Sequence, residues 1–514
     1  MLRHISPEEH QVWISVGMIL QHELGDEGFS VWDEWSSQSP NYGETEKCWK
    51  SFRKPPGRKP VGVGTLVRMA REGGWIDTSI DPDISRMNQK HALVWVKGRS
   101  LVATFANEGS ISLGQIKDLH AFYENDQVPR PGGGTEAVSR KWSRHPKRRM
   151  YPNGLTFEPG LETPGKLNLW SGWKVEPNPA ASCGLFLAHL ENVVCGGDSA
   201  SFEYLLGWLA HLIQRPWEIP GVALVLKGEK GVGKDTFVDY LVPLIGRQHV
   251  PTVSHQQHVT GRFNARLESA LILHLQEGIW GGDKRAEQNL KYLITSGRIE
   301  IERKGVASYG STSCLRLVIS SNENWIVPAS GDERRFAVFD VSSARKGDEA
   351  YFGAIRKELE AGGPAALLHY LQAFDLSDFN VRRAPETKGL LEQKLQSLRG
   401  FEKWWHECLC AGEIISLRRL STDPADEADW ESGSFAIPKE DLRMSFGSWL
   451  SSRRFDGEPL DAAGFARLLL RMAPSTEEKR PRINGARRRD YVLPPLEVCR
   501  SEFETWIGHE IDWG

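Results

Sequence analysis

The segment LVLKGEKGVGKDTFVDYL, residues 224–241, has the residue types and spacing of a phosphate-binding loop. Gly228, Gly231 and Gly233 lack a Cβ, so backbone amides at these positions can turn toward phosphate oxygens. Lys234 follows at the point from which a lysine ammonium reaches the terminal phosphates. An apolar strand before the loop and a helix after it complete the pattern. We therefore interpret this segment as a nucleotide-binding loop.

One position of this loop departs from the usual pattern. Asp235 stands where a Ser or Thr normally supplies a hydroxyl to Mg²⁺, and the hydroxyl residue is Thr236 instead. Some loops of this class, such as the GKGT loop of nucleotide kinases, tolerate an extra residue there. Thr236 is therefore our first candidate for the metal ligand. The loop alone also leaves open a simple glycine-rich turn.

The apolar run ALILHLQEG ends in Gln276 and Glu277. Phosphoryl-transfer enzymes commonly end this strand in Asp-Glu, where Asp holds Mg²⁺ and Glu orients or deprotonates water. Here the Glu is kept and the Asp is replaced by a neutral amide. Either Asp235 returns the missing carboxylate from the other side of the metal, or it faces solvent and Thr236 suffices. A third alternative is a site that binds ATP and hydrolyses it poorly.

Two further polar positions follow at short intervals. Asn322 ends the apolar run LRLVISSN, where an Asn can hold the attacking water or sense the terminal phosphate. Arg334 and Arg335 lie in GDERRF, and either is a candidate arginine finger. In isolation, a strand-terminal Asn is usually a turn former and paired arginines are usually surface residues.

The elements that position these residues are strands that alternate with helices, which predicts an α/β fold. The apolar helix SFEYLLGWLAHLI precedes the first strand. Residues 4–77 predict short helices rich in Trp, and HALVWVKGRSLVATFA predicts a hairpin that turns at Lys97-Gly98. Near the carboxyl end, two helices precede an arginine-rich hairpin, RPRINGARRRDYVLPP.

Composition limits the class of protein. The chain has 514 residues, of which 40% are hydrophobic and 25% charged, and its net charge is −3. These values are typical of a soluble multidomain protein, and contact with nucleic acid would need local basic patches. The 7 cysteines form no CxxC pair, and no apolar run reaches membrane-spanning length. We expect a cytoplasmic protein that makes no membrane contact.

The order Lys234, Glu277, Asn322 and Arg334/Arg335 resembles that of superfamily 3 helicases, and more closely that of the primase–helicase proteins of bacteriophages and mobile elements. The stretches that carry the resemblance are LKGEKGVGKDTFV, TGRFNARLESALILHLQEG, ISSNENWIVPASGDERRF, RRAPETKGLLEQKLQSL and LPPLEVCRSEF. The segments VWISVGMIL, WDEWS and GTLVRMA resemble the small helical domain that follows the catalytic domain of such primases.

This resemblance implies an AAA+-type ATPase core that uses ATP and Mg²⁺, with Thr236, Asp235 and Gln276 around the metal. It also implies a head-to-tail homo-oligomeric ring, six subunits being the family expectation. In such rings a pore loop grips single-stranded DNA, and Arg303 and Lys304 are our candidates for that loop. No paired carboxylates suited to primase chemistry are evident, so priming would require a separate primase.

Two more basic patches are candidates for DNA contact. Arg487, Arg488 and Arg489 occupy the arginine-rich hairpin, which resembles the wing of a winged-helix domain that meets duplex phosphates. The stretch SRKWSRHPKRRMY combines basic residues with Trp142 and Tyr151. This combination suits stacked single-stranded bases, although a charged connector explains the same residues equally well.

We predict five parts: a helical primase C-terminal-like domain at 1–78, a mixed β connector at 79–180, the P-loop core at 181–345, a helical segment at 346–400, and a winged-helix-like domain at 401–514. The expected function is ATP-dependent DNA helicase activity in replication of a phage or mobile element.

Two alternatives remain open at this stage. One is a nucleotide-gated DNA-binding or loading ring with weak or no hydrolysis, which the replacement at Gln276 suggests. The other is a small-molecule kinase, which the GKDT sequence suggests. DNA-stimulated ATP hydrolysis would distinguish the helicase from both.

Overall fold

The fold is that of a computed structural model, which describes residues 1–38, 42–43, 45–52, 62–73, 75, 81–106, 110–130, 132–254, 264–277, 284–303, 308–331, 333–416, 430–431, 433–453, 460–483 and 486–513. The chain separates into two compact units. The first comprises Met1–Gly172 and Gly305–Thr312, and the second comprises Trp173–Lys304 and Ser313–Gly514.

The first unit begins with four helices around a tryptophan-rich core. They are α1 (His10–Leu24), α2 (Gly28–Ser36), α3 (Thr45–Ser51) and α4 (Val63–Glu72). In α1, residues that share one helical face, among them Val16 and Ile19, are fully buried. Trp13 and Trp32 lie against each other with ring centroids 4.5 Å apart. The predicted helical region is therefore confirmed in its described part.

A small sheet follows, in the strand order β3-β2-β1-β6. Its strands are β1 (His91–Val96), β2 (Arg99–Phe105), β3 (Ile111–Gln115) and β6 (Met150–Tyr151). Lys97 and Gly98 both have positive φ, 47° and 78°, as a two-residue hairpin turn requires. The predicted hairpin is confirmed.

The remaining elements of this unit are helices on that sheet and short strand pairs. They are α5 (Pro82–Lys90), α6 (Ile116–Phe122), α7 (Val138–Arg144), β4 (Gln127–Pro129), β5 (Thr135–Ala137), β7 (Leu155–Thr156), β8 (Leu167–Asn168) and the separate strand β13 (Tyr309–Thr312).

In the basic stretch on α7, Lys141 and Trp142 make contacts within the fold. Trp142 has no exposed surface, and its Nε1 donates a hydrogen bond to Oδ1 of Asn88 at 2.8 Å. Lys141 pairs with both Asp81 and Asp83, at 2.8 and 2.9 Å. A buried indole cannot stack on a base, so the single-strand interpretation is wrong at Trp142 and the connector interpretation is favoured there.

The second unit contains a five-stranded, wholly parallel sheet in the order β10-β11-β14-β9-β15. Its strands are β9 (Ala223–Lys227), β10 (Thr252–Val253), β11 (Ile272–Gln276), β14 (Arg316–Ser321) and β15 (Phe336–Asp340). The strand β12 (Arg298–Ile301) also belongs to this unit. The central strands are buried along almost their whole length, which explains their continuous apolar sequences.

Helices flank this sheet and connect its strands. They are α8 (Gly184–His189), α9 (Ser199–Gln214), α10 (Lys234–Ile245), α11 (Lys284–Thr295), α12 (Glu349–Glu360), α13 (Gly363–Ala373) and α14 (Lys388–Ser397). The predicted apolar helix is α9, with 11 buried residues among its 16. The α/β prediction with a parallel sheet is confirmed.

The carboxyl-terminal part contains α15 (Gly400–Ala411), β16 (Phe435–Pro438), α16 (Lys439–Ser452), α17 (Ala462–Met472), β17 (Glu477–Lys479), β18 (Arg482–Ile483), β19 (Ala486–Arg487), β20 (Asp490–Leu493) and α18 (Leu496–Ile507). Two helices followed by an antiparallel arginine-bearing hairpin match the prediction. The winged-helix class and the five domain boundaries stay predictions. Across the described ranges, no helix is both long enough and apolar enough to span a bilayer.

Candidate functional site

A cavity of about 980 Å³ opens where parallel strands of the sheet end. Ligands of open α/β sheets bind at this carboxyl edge. The residues that line it are Lys230, Gly231, Gly233, Lys234, Asp235, Thr236, Asp239, Ser254, Gln276, Glu277, Ser320, Ser321, Asn322, Gly347, Glu349, Phe352 and Arg356. The fold thus brings the predicted loop together with Gln276, Glu277 and Asn322.

The glycines of the loop have the predicted conformations. Gly231 and Gly233 have φ values of 80° and 95°, in the left-handed region where a side chain is strained. A Cβ on Gly233 would also lie 2.5 Å from the Phe352 ring and 2.8 Å from His189. Gly228 has φ outside this region, but a Cβ there would lie 3.0 Å from the carbonyl oxygen of Val341.

The imidazole ring of His189 contacts the phosphate loop. Its Nε2 lies 3.2 Å from the carbonyl oxygen of Gly233, and its Nδ1 lies 3.2 Å from the hydroxyl of Tyr351. Since a carbonyl oxygen only accepts, Nε2 carries the proton and Nδ1 accepts from the tyrosine. Burial lowers the pKa of His189, which keeps the ring neutral in this role.

Lys234 begins α10 and points back into the loop. Its Nζ donates hydrogen bonds to the carbonyl oxygens of Gly228 and Glu229, both at 2.6 Å. Burial lowers the pKa of this ammonium, because the charged form loses hydration. The lysine is thus held at the phosphate position by acceptors that an anionic ligand can replace.

Asp235 and Gln276, the two departures from the usual pattern, are in direct contact. Gln276 Nε2 donates to Asp235 Oδ1 at 3.2 Å. Beneath them, His274 Nε2 lies 2.7 Å from Ser320 Oγ and 3.9 Å from the same Asp235 oxygen. Burial lowers the pKa of His274 to about 4, so the ring is neutral at pH 7. Asp235 therefore lies against the end of β11, although its side chain remains 62% exposed.

Glu277 and Asn322 follow β11 and β14 at the rim of the cavity. Glu277 has φ of 54°, an uncommon conformation for a residue other than glycine, and its amide donates to the carbonyl oxygen of Ser320 at 2.9 Å. Its carboxylate is exposed and lies 4.0 Å from Lys230 Nζ. Asn322 is exposed beside it. Both side chains can reach a ligand in the cavity.

The oxygens around Thr236 suit Mg²⁺. This ion prefers one or two carboxylates together with substrate phosphates and water. Thr236, Asp235 and Gln276, which carry a hydroxyl, a carboxylate and an amide, line the cavity beside the phosphate loop. Within the described ranges no group of three His, Cys, Asp or Glu side chains forms a metal cage. These residue types are compatible with a metal that a nucleotide shares, and the assignment of Thr236, Asp235 and Gln276 as its ligands stays a prediction.

Arg334 and Arg335, the two arginine-finger candidates, differ in their side-chain contacts, and neither lines the cavity. Arg335 Nη1 binds Oε1 of Glu333 at 3.0 Å, and the Glu333 side chain has no exposed surface. Glu333 also accepts the backbone amides of Arg334 and Arg335. The Arg334 guanidinium is exposed and has no hydrogen-bond or ion-pair partner among the described residues. Of the two arginines, Arg334 is therefore the one that can meet another molecule.

The prediction that Arg303 grips DNA is wrong for the described conformation. Its Nε and Nη2 bind Oε2 of Glu268, a carboxylate with no exposed side-chain surface, and the Nε distance is 3.0 Å. A buried carboxylate that is 35 residues away in sequence holds this guanidinium in place. Lys304, the other pore-loop candidate, lies outside the described residues.

The arginines of the carboxyl-terminal hairpin also differ in their side-chain contacts. Arg488 makes a bidentate ion pair with Asp490, at 2.7 and 2.8 Å, and Asp490 is buried. The predicted DNA contact of Arg488 is therefore wrong in this conformation. Arg487 and Arg489 are exposed and have no side-chain partner in the described part of the chain. In the hairpin register Arg482 lies directly opposite Arg487, which concentrates positive charge.

Sequence reasoning missed three contributors to the site. His274 has a signal, because it is the one polar residue inside the apolar run ALILHL. Glu333 precedes the two arginines, but its burial and its ion pair with Lys291 in α11 cannot be read from spacing. Arg356 lies on α12, about 120 residues after the loop, and lines the same cavity.

Two family models match parts of the chain. Residues 1–70 match the family described as Primase C terminal 2 (PriCT-2), and residues 226–335 match a family of unknown function, DUF5906. The first match agrees with the resemblance of the amino-terminal helices to a primase-associated domain. The second covers the phosphate loop, Glu277, Asn322 and Glu333–Arg335, which we call the arginine turn.

A curated relative and two solved structures agree with these matches. A DNA primase-polymerase of Nitratiruptor phage NrS-1 is 30% identical over 155 residues, which is 30% of this chain and 21% of the relative's length. The apo structure of the NrS-1 C-terminal region has a TM-score of 0.59 at 17% identity, over 80% of this chain and 100% of that chain. A second crystal form has a TM-score of 0.56 at 18% identity, with coverages of 79% and 97%. The two structures show a shared fold with the NrS-1 C-terminal region. The sequence matches show that parts of this chain are similar to a phage DNA primase-polymerase and to a primase C-terminal domain.

Proposed function

We propose that the chain is an ATP-dependent DNA helicase or translocase of the superfamily 3 type, built on a P-loop AAA+ core, that acts in replication of a phage or mobile element. The observation that carries the proposal is the cavity that gathers the phosphate loop, Glu277 and Asn322 at the carboxyl edge of a parallel sheet. The similarity to a phage primase-polymerase supports the replication role.

The proposed chemistry is hydrolysis of ATP at this cavity. Lys234 exchanges its two loop carbonyls for phosphate oxygens, and the loop amides with the α10 amino terminus bind the same anion. Glu277 orients the attacking water and accepts its proton, and Asn322 contacts the terminal phosphate. Thr236 and Asp235 would hold Mg²⁺, which would neutralise charge on the phosphates.

The arginine finger of this proposal acts between subunits. Arg334 and Arg335 lie outside the lining of their own cavity, so either can act as the finger only at the site of a neighbouring chain. A head-to-tail ring supplies one such residue to every site. Six subunits are the family expectation.

DNA would contact the ring at two places. Arg487 and Arg489, exposed and unpaired within the described ranges, are suited to duplex phosphates, and Lys304 remains the candidate for the single strand in the pore. Arg303 and Arg488 are left out, since both are bound to buried carboxylates. A separate primase is the expected partner.

Steady-state ATP hydrolysis with and without single-stranded DNA tests the proposal. We expect DNA to stimulate turnover and Glu277→Gln to abolish it while ATP binding persists, since this change removes the proton acceptor and keeps the shape. ATP binding without turnover in the unaltered protein would instead favour the nucleotide-gated ring. Turnover that a small-molecule acceptor stimulates, with no effect of DNA, would favour a kinase.

The contact between Gln276 and Asp235 favours a relocated metal carboxylate. Gln276→Asp alone would bring two carboxylates within about hydrogen-bonding distance, where like charges disfavour joint ionisation. We expect turnover to fall in that variant and to recover in Gln276→Asp combined with Asp235→Gly, which restores the usual pattern. Failure of the double variant to recover would contradict the relocation.

A further inference from the structure

The segment between Asn322 and Glu333 has no regular secondary structure, and its middle part, residues 326–329, is buried. It runs from residue 323 to residue 331, and its residues Ile326, Val327 and Ala329 are each at most 2% exposed. Buried backbone amides outside helices and sheets need hydrogen-bond partners from elsewhere in the fold. In this segment the partners are side chains of α14.

Gln393 supplies three of these hydrogen bonds. Its Oε1 accepts from the amides of Ile326 and Val327, at 2.7 and 3.2 Å. Its Nε2 donates to the carbonyl oxygen of Asn324 at 2.7 Å. The side chain has no exposed surface, so water cannot replace these bonds without rearrangement.

Ser397, one turn further along α14, supplies two more. Its Oγ accepts from the amide of Ala329 and from Nε1 of Trp325, both at 3.0 Å. Gln393 and Ser397 together bind the segment from Asn324 to Ala329. The next residues along the chain lead to Glu333 and the exposed Arg334.

Helix α14 is itself fixed to the sheet that carries the phosphate loop. Thr387, at its amino terminus, donates to the carbonyl oxygen of Val338 on β15 at 2.6 Å. Glu392 forms an ion pair with Lys227, the last residue of β9 before the loop. Any displacement of the segment relative to the phosphate site is thus opposed by one helix that contacts both.

We propose that Gln393 and Ser397 are positioning residues that hold Asn322 and Arg334 in the geometry needed for ATP turnover. They contact no nucleotide, and they act through the backbone of residues 324–329. The inference rests on the proposed ATPase function for its kinetic consequence, but its structural part can be measured without turnover.

Gln393→Ala in the full chain tests the inference, with Gln396→Ala as the matched control. Gln396 is the same residue type on the same helix, and its side chain is exposed. We expect Gln393→Ala to lower kcat by about 100-fold, the effect of a small misplacement of catalytic groups. KM and the affinity for a fluorescent ATP analogue should stay within about twofold, because the phosphate loop is untouched.

Amide hydrogen exchange gives a second, independent readout. Peptides that cover residues 323–331 should exchange faster in Gln393→Ala than in Gln396→Ala, while peptides over residues 228–241 should not change. Ser397→Ala should act in the same direction, and Ser397→Thr, which keeps the hydroxyl, should restore protection.

Three results would overturn the inference. These are unchanged exchange at residues 323–331, faster exchange there without loss of kcat, or a loss of ATP affinity and of phosphate-loop protection together. If the unaltered protein binds ATP but does not hydrolyse it, the proposed helicase function fails. The exchange comparison then still decides whether Gln393 holds the segment.

Discussion

The arginine turn, Glu333–Arg335, and the arginine hairpin, Arg487–Asp490, contain the same arrangement. In each, one guanidinium is bound to a buried carboxylate, and a neighbouring arginine is exposed without a side-chain partner in the described structure. A bound arginine shapes its loop, and its free neighbour can meet a phosphate. Sequence alone presents both as runs of interchangeable basic residues.

The two buried carboxylates, Asp490 and Glu333, differ in their hydrogen-bond partners. Asp490 gives both oxygens to Arg488, in a bidentate pair that is complete in itself. Glu333 accepts from Arg335 and from two backbone amides through Oε1, and its buried Oε2 has no hydrogen bond, with Lys291 Nζ 3.7 Å away. The turn is therefore more dependent on its carboxylate than the hairpin is.

The largest expected effect is on ATP turnover, and it distinguishes Arg334 from Arg335. Arg334→Ala should lower DNA-stimulated ATP turnover by about 10³-fold, the range expected for removal of an arginine finger. ATP affinity should be unchanged, because an arginine finger stabilises charge that develops on the transferring phosphate in the transition state. Steady-state kinetics and equilibrium binding measure the two quantities.

Mixed rings provide the control for action between subunits. Arg334→Ala and Lys234→Ala chains, each inactive alone, should recover part of the turnover when mixed, since some sites then combine an intact loop with an intact arginine. An absence of recovery in rings that demonstrably mix would contradict a finger supplied by the neighbour.

The second effect concerns stability of the turn. Arg335→Ala leaves the Glu333 carboxylate buried with an incomplete partner set, and we expect a loss of about 3 kcal/mol in the free energy of unfolding. Arg334→Ala should change it by less than about 0.5 kcal/mol, as at ordinary surface positions. Denaturant unfolding of both variants tests this, and equal losses would remove the distinction.

A smaller stability effect is expected in the hairpin. Arg488→Ala removes a bidentate partner from buried Asp490, and the free energy of unfolding should fall by about 2 kcal/mol. We expect a smaller loss than in the turn because the Asp490 side chain keeps 4% of its surface exposed to water, whereas the Glu333 side chain keeps none. A loss as large as that of Arg335→Ala would show that the two carboxylates are equivalent.

The smallest effect is on DNA affinity. Arg487→Ala or Arg489→Ala should weaken duplex binding severalfold and reduce the slope of log K against log salt by about one for each phosphate that is no longer bound. Stability should be unchanged. Titrations with duplex DNA at several salt concentrations measure this slope. Arg488→Ala is the control, at a temperature where that variant is folded. An equal change of slope in Arg488→Ala would contradict the assignment of Arg487 and Arg489 to phosphate contact.

Sequence patterns were sufficient where the chemistry is local. The glycines, Lys234 and the strand ends at Gln276 and Asn322 could be placed because loop, strand and helix follow one another in the chain. The same holds for the hairpin at Lys97-Gly98, whose turn residues dictate the register.

Predictions from sequence patterns were wrong where a residue distant in the chain determines whether a side chain is free to contact DNA. Arg303 was predicted to contact DNA, but Glu268 from another element binds it. Trp142 was a candidate for base stacking, but Asn88 from α5 holds it inside the fold. In both cases a charged or aromatic side chain is exposed or buried according to tertiary packing, which spacing along the chain does not encode.

Lys394 connects α14 to the last helix, α18. It is buried, and its ammonium donates to the carbonyl oxygen of Ile507, the last residue of α18, at 2.7 Å. A chain shortened before α18 would lose this hydrogen bond between α14 and α18. We therefore expect the parallel sheet and α18 to melt together in one calorimetric transition, and a protease cut that releases α18 to make the sheet vulnerable to digestion.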